Sequence, residues 1–176
     1  MTELPEKESH FPDGLKGFRK GIDPGLRKKP GTILFLCTGN YYRSRMAEEI
    51  FNHYAEQDGL PYRAISRGLA RIMIGQGNVG PMSRAGVESL IKLGIKPRNS
   101  TSYPRAVSSK DLGTATRVIA LCKSEHEPMI RKRFPRHALD VLYWDIPDVG
   151  QMPVTDAAAR IRSLVLELIN SLNTTP

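Results

Sequence analysis

Residues 32–36, TILFL, form a short apolar run that stops at a cysteine and the turn TGNYY, and a helical pattern begins directly after that turn. An apolar run of this length suits a strand covered on both faces of a parallel sheet, because a half-exposed strand would alternate apolar with polar side chains. From about Ser44 to Glu56 the apolar residues Met46, Ala47, Ile50, Phe51 and Tyr54 return at helical spacing and share one face. The alternation then continues. YRAIS (62–66) reads as a second strand, and a helix follows near 83–93 with Val87, Leu90 and Ile91 turned inward and Gly94 as its stop. RVIALC (117–122) is a third strand, a short helix lies around 126–134, and DVLYW (140–144) is a fourth strand. The last helix spans about 155–172, with Ala158, Ile161, Val165, Leu168 and Leu172 as its stripe. This order predicts an α/β fold: a single-domain, doubly wound sheet of about four parallel strands flanked by helices. Its anion-sized loop follows the first strand, at the carboxyl edge where such sheets bind ligands.

The domain is expected over residues 31–173, and the 176-residue length suits one such unit. Residues 1–30 interleave Pro5, Pro12, Pro24 and Pro30 with Gly14, Gly17, Gly21 and Gly25 and end on Arg27, Lys28 and Lys29, so no periodic apolar face develops. This extension is expected either to be disordered or to lie along the domain through Phe11, Leu15 and Phe18. The net charge of +8 favours anionic partners, phosphorylated ones before nucleic acid, because neither zinc-finger spacing nor an RNP-like aromatic pattern accompanies it. Two cysteines are too few for a disulfide framework, and neither a signal-like start nor a membrane-length apolar run is present. The expected setting is cytoplasmic, with no membrane partner.

Cys37 sits at the carboxyl end of the first strand, and Arg43 opens the first helix. Successive backbone N–H groups of a tight turn, joined by a helix N-terminus, make a nest for an anion. Gly39 is expected to let the turn adopt a left-handed conformation, and Asn40 tolerates one as well. Arg43 can add a bidentate grip on two anion oxygens. A cysteine facing a helix N-terminus and a guanidinium is of the reactive kind. Ser44 can hydrogen-bond the thiolate when it acts as a leaving group. A nucleophile inside an anion cradle points to attack on the bound oxyanion itself.

The segment LCTGNYYRSRMAE resembles the phosphate-binding loop of low-molecular-weight protein tyrosine phosphatases and of the related thiol-dependent arsenate reductases, C-x-G-N-x-C-R-S-x-x-A-E. The resemblance runs over roughly residues 31–172. SRG (66–68) stands where the family often has S-A-G, SSKDLGTATRVIAL where it has a helix and the third strand, and YWDIPDVG where its general-acid aspartate is found. It implies Cys37 as nucleophile, Arg43 as phosphate clamp, Ser44 as thiolate stabiliser, Asn40 as a loop-shaping residue braced by Ser66, and Asp148 as the acid. Thr38, Gly39, Tyr41 and Tyr42 complete the binding loop. The implied reaction is hydrolysis of a phosphorylated protein or small aryl phosphate through a cysteinyl phosphate, inhibited by phosphate or vanadate, with neither metal nor organic cofactor.

Departures from the pattern leave alternatives open. Tyr42 replaces the second loop cysteine, so a local protective disulfide is impossible. Tyr41 and Tyr42 either wall the pocket or divide between core and surface. The family's D-P-aromatic becomes Asp148-Val149-Gly150, and Asp145 is the other candidate acid. Cys122 ends the third strand, either as a packed thiol or as a redox partner of Cys37; the second role fits an arsenate reductase, although a third cysteine is missing. A catalytically weak phosphate-binding module is the remaining alternative. His126 and His137 have no ligand spacing and are expected at the surface.

Overall fold

The side chains of residues 33–36 are all fully buried, but they point into two different cores. Ile33 and Phe35 pack with Met46, Ile50, Phe51, Ala158, Ile161 and Val165, whereas Leu34 and Leu36 pack with Leu112, Val118, Ile130 and Val141. Alternation between two apolar clusters is what a strand buried on both faces must show. Each such side chain contributes about 1.5–3 kcal/mol relative to exposure, which makes this strand the centre of the fold.

The computed structural model describes residues 30–70 and 78–174. In order these form β1 (Gly31–Cys37), α1 (Arg43–Gln57), β2 (Tyr62–Gly68), α2 (Arg84–Lys92), α3 (Ser109–Thr114), β3 (Arg117–Ala120), α4 (Lys123–Arg133), a 3-10 turn (Pro135–His137), β4 (Val141–Tyr143) and α5 (Val154–Asn173). The sheet order is β2-β1-β3-β4 with every pairing parallel. Helices α1, α2 and α5 supply the core on one face and α3 and α4 that on the other. The chain therefore winds in opposite directions from β1, and the carboxyl end of β1 lies at the switch point where such sheets open a crevice. Apart from Pro30, the N-terminal extension lies outside the described residues.

Two expectations about helices need correction. Ile91, expected inward, is 60% exposed. Leu90 fills the core with Val87 partly covered beside it, and Ile91 lies about 100° further round the helix. The helix after β3 begins at Lys123, not near 126, with Cys122 in an extended N-cap conformation. Its first turn carries polar residues that give no apolar period, so the pattern shows in the sequence only toward Ile130.

Candidate active site

Cys37 closes β1 and Arg43 opens α1, so residues 38–42 are held at both ends by regular structure. The loop's carbonyls are fixed from behind: Leu69 N–H donates to Cys37 O at 2.9 Å, Ala70 N–H to Thr38 O at 2.9 Å, and Ser83 N–H to Tyr41 O at 3.0 Å. Among the described residues, no backbone N–H of residues 38–43 has an acceptor. Carbonyls tied back and amides left free make the condition for an anion nest. The left-handed residue is Asn40, with φ 47°, and not Gly39. A Cβ at Gly39 would lie 2.9 Å from Asn78 Nδ2, the far end of a side chain that can turn aside.

Asn40 is buried and uses both ends of its amide. Its Oδ1 accepts the Arg105 backbone N–H at 2.9 Å, while Nδ2 donates to Ser66 Oγ at 2.8 Å and Ser44 Oγ at 3.1 Å. Ser66 Oγ in turn donates to Glu48 Oε2 at 2.6 Å. Burial pushes the Glu48 carboxyl above its ordinary value, with the Ser66 bond and Arg45 opposing that rise. The network orients the next contact. Ser44 Oγ lies 3.0 Å from Cys37 Sγ, and because it already accepts from Asn40 its own proton is available to the sulfur.

Arg43 is 2% exposed, and its five N–H donors divide into two groups. Nη1 donates to Glu125 Oε2 at 2.7 Å and to Ile146 O at 3.1 Å, and Nη2 donates to Glu125 Oε1 at 3.0 Å. These bonds fix the plane of the guanidinium. The other edge comprises Nε, which has no partner among the described residues, and the second N–H of Nη2, where Asp148 Oδ2 lies 3.1 Å away. Burial alone would raise the Glu125 carboxyl, yet hydrogen bonds from His126, Arg43 and Thr38 hold it well below the usual carboxylate range. Thr38 Oγ1 donates to Glu125 Oε1, so the first residue of the loop and the clamp arginine share one carboxylate.

Glu125 does not figure in the sequence reading. Its signal was an acidic residue three positions after Cys122, in the first turn of the helix that leaves the carboxyl end of β3. His126, expected at the surface, is fully buried. Its Nδ1 accepts the Cys122 backbone N–H at 2.9 Å, which leaves the ring proton on Nε2, 3.4 Å from Thr38 Oγ1 and 3.6 Å from Glu125 Oε1.

A cavity of ≈ 390 Å³ opens over the loop, lined by Cys37, Tyr41, Tyr42, Arg43, Asp148 and Val149 among others. Both tyrosines therefore wall it. Tyr41 Oη donates to Val79 O at 2.7 Å, whereas Tyr42 Oη is buried without a partner among the described residues and burial pushes its pKa up to about 12. Asp145 does not line this cavity; it is exposed, and its carbonyl accepts from Arg160. Cys122 is also absent from the lining, with its Sγ 3.4 Å from Ser124 Oγ. Among the described residues no cluster of His, Cys, Asp and Glu fits a metal ion, and no helix is long and apolar enough to cross a membrane.

Known proteins give the arrangement a context. A family model described as low molecular weight phosphotyrosine protein phosphatase matches residues 32–146. Among solved structures, a low molecular weight protein tyrosine phosphatase from T. tengcongensis is 29% identical with a TM-score of 0.67, the match covering 80% of this chain and 99% of that one. YfkJ from Bacillus subtilis is 25% identical with a TM-score of 0.72, over 84% and 97% of the two chains. The YwlE arginine phosphatase from Geobacillus stearothermophilus is 26% identical with a TM-score of 0.66, over 82% and 94%. No curated protein sequence matches. The family match begins at the strand that delivers Cys37 and ends at Ile146, whose carbonyl holds Arg43, so it takes in the whole loop and its supports: this chain belongs to the low molecular weight phosphotyrosine protein phosphatase family and is a cysteine-based phosphatase.

Proposed function

We propose that the chain hydrolyses phosphotyrosine and other aryl phosphate monoesters through a cysteinyl-phosphate intermediate. The observation that carries this reading is the Nε/Nη2 edge of Arg43, met only by Asp148 among the described residues, with Cys37 and Asp148 lining the same cavity. The substrate's equatorial oxygens take the loop amides and the Nε/Nη2 edge of Arg43, displacing Asp148. Released from the guanidinium, Asp148 stands beside the bound phosphate as the carboxyl placed to protonate the leaving oxygen. Cys37 Sγ attacks phosphorus in line, the P–O bond to the phenol breaks, and the Asp148 proton goes to the leaving oxygen. Water then attacks the phosphorus and gives its proton to Asp148, while the departing thiolate is steadied by Ser44. Substrate, water and this chain supply every atom and proton in these steps.

A second substrate, phosphoarginine, is favoured by the likeness to the YwlE arginine phosphatase and by Gly150, which stands two residues after Asp148 where the family pattern has an aromatic residue and offers no ring to enclose a phenyl group. Arsenate reduction gains nothing from Cys122, which stands outside the cavity lining. The test sets phosphotyrosine, phosphoarginine and arsenate with several thiol donors side by side on one preparation, together with Cys37→Ser. The expected result is rapid aryl phosphate hydrolysis, lost on the order of 10⁴-fold or more in Cys37→Ser. Vanadate should still bind that variant, because the amides and Arg43 remain. Preferred turnover of phosphoarginine would move the substrate class, and turnover by Cys37→Ser would end the covalent mechanism.

A further inference from the structure

We infer a second oxyanion site behind the Cys37 loop, built to take a free tetrahedral anion of the phosphate or sulfate class between Arg45 and Arg105. A separate cavity of ≈ 200 Å³ opens there and shares no lining residue with the cavity over Cys37. Three arginines, Arg45, Arg67 and Arg105, line it with Asn40, Ser66 and Tyr103. Arg45 is 3% exposed. Its Nη1 donates to Ser102 O at 3.0 Å and its Nη2 to Asn99 O, yet its buried Nε has no acceptor among the described residues. A buried guanidinium N–H without a partner is costly, and an anion oxygen in the cavity supplies what it lacks.

Arg105 is exposed, and its side chain makes neither an ion pair nor a hydrogen bond among the described residues. It stands close enough for its charge to oppose that of Arg45. Arg67 is largely committed, with Nη1 on Ser66 O at 2.7 Å and Nη2 3.3 Å from Asp111 Oδ1. The one carboxylate in the lining, Glu48, is occupied by Ser66 Oγ on one oxygen and by Asn99 Nδ2 at 3.0 Å on the other. Glu48 and Glu49 favour the Arg45 charge, but what remains without an acceptor among the described residues is Arg45 Nε and the neighbouring Arg105 guanidinium, and a tetrahedral anion bridges such a pair with charge-assisted bonds. The site is coupled to the catalytic loop. The Arg105 backbone N–H is the donor to Asn40 Oδ1, so an anion joining Arg45 to Arg105 pins residues 99–105 against the residue that orients Ser44. This inference stands apart from the reaction proposed above, since neither Arg45 nor Arg105 contacts the substrate there.

Titration of the full chain with inorganic phosphate, followed by ¹⁵N–¹H NMR of the arginine Nε–H resonances, tests it. Arg43 reports the front cavity and Arg45 the rear one, and the two resonances should follow separate isotherms. In Arg105→Ala the affinity read at Arg45 should fall about tenfold or more, as expected for one charge-assisted bond, while the Arg43 isotherm stays in place and shows that the variant is folded. Arg105→Lys, which keeps the charge without the fork, should fall between the two. An Arg45 resonance that does not move while Arg43 saturates overturns the site, and so does an Arg45 isotherm that is unchanged in Arg105→Ala. Failure at Arg43 alone would count against the front cradle and leave the rear site standing.

Discussion

A glutamate stands on each side of the Cys37 loop, and the two are held in opposite ways. In front, Glu125 faces a guanidinium and a threonine hydroxyl, and these donors keep its carboxyl ionised far below the ordinary range despite partial burial. Behind, Glu48 is more deeply buried, its direct hydrogen bonds come from the neutral groups of Ser66 and Asn99, and burial raises its pKa. The front carboxylate fixes the direction of a charge, because its fork on Arg43 leaves the opposite edge of the guanidinium for an anion. The rear carboxylate fixes a shape, because through Ser66 it holds Asn40 in its left-handed conformation and Asn40 holds Ser44. Losses in front should appear in turnover and losses behind in stability.

The largest expected effect lies in front, at Asp148. Asp148→Asn removes the proposed proton donor and also the carboxylate that lies against Arg43 in the free protein. Hydrolysis of phenyl phosphate should slow by about 10²–10⁴-fold, whereas a substrate with a strongly acidic phenol should lose far less. Asp145→Asn, outside the cavity, should give neither pattern. Burst kinetics separate slower cysteinyl-phosphate breakdown from slower attack. An equal loss on both substrates would mean that Asp148 acts only by holding Arg43.

Next comes Glu125→Gln. The amide cannot accept both arms of the fork and a threonine proton, so Arg43 loses its fixed plane. We expect kcat/KM to fall about 10²-fold, the scale of misplacing a positioned group, with weaker vanadate binding and a stability loss at neutral pH on the order of 1 kcal/mol. A large loss of stability with intact kcat/KM in the folded fraction would reverse the comparison.

These two residues also show what the sequence made legible. The parallel sheet and the strand–loop–helix around Cys37 could be read because they are local: TILFL, the turn and the α1 stripe are contiguous, and burial of residues 33–36 into two cores follows from their uniform apolarity. Glu125 and His126 were missed because their meaning is not local. They reach Thr38 and Arg43 across the sheet only once β1 and β3 are paired in parallel, with Leu36 opposite Ala120. Gly39 was misread for a similar reason, since the left-handed turn falls to Asn40, which Ser66 and Arg105 hold from distant segments. Ile91 fails for another: an apolar period says which residues can share a face, not how wide a face the neighbouring helices cover.

A smaller effect is expected behind the loop. Ser66→Ala leaves Glu48 and Asn40 each one partner short inside the fold and should cost about 1–3 kcal/mol of stability, the penalty for buried polar groups left unsatisfied. Turnover of the folded enzyme should drop by less than in Glu125→Gln, because Asn40 keeps its bonds to Arg105 and Ser44. Ser66→Thr, which restores the hydroxyl, should recover part of the stability. A turnover loss larger than that of Glu125→Gln would show that loop shape outweighs the aim of Arg43.

The smallest effect sharpens the comparison most, because it gives the two carboxylates opposite signs. Glu125 has a folded pKa below its ordinary 4.5, so its contribution to stability is fully present above that value and is lost as pH falls toward the depressed folded value. Glu48 has a folded pKa above 4.5, so its contribution is fully present below that value and is lost as pH rises through the raised folded value. Replacing each by glutamine removes its own titration from the balance. The stability difference between wild type and Glu125→Gln should therefore shrink as pH is lowered below about 4.5, while that between wild type and Glu48→Gln should move in wild type's favour as pH is lowered toward the same value. Urea midpoints of the three proteins across this acid range measure both trends, with amplitudes on the order of 1 kcal/mol. If the two differences move in the same direction, one of the carboxylates is not held as described. Should Glu48→Gln be the one that follows the Glu125 sign, its bonds to Ser66 and Asn99 outweigh its burial, and the rear of the loop is held by charge just as the front is.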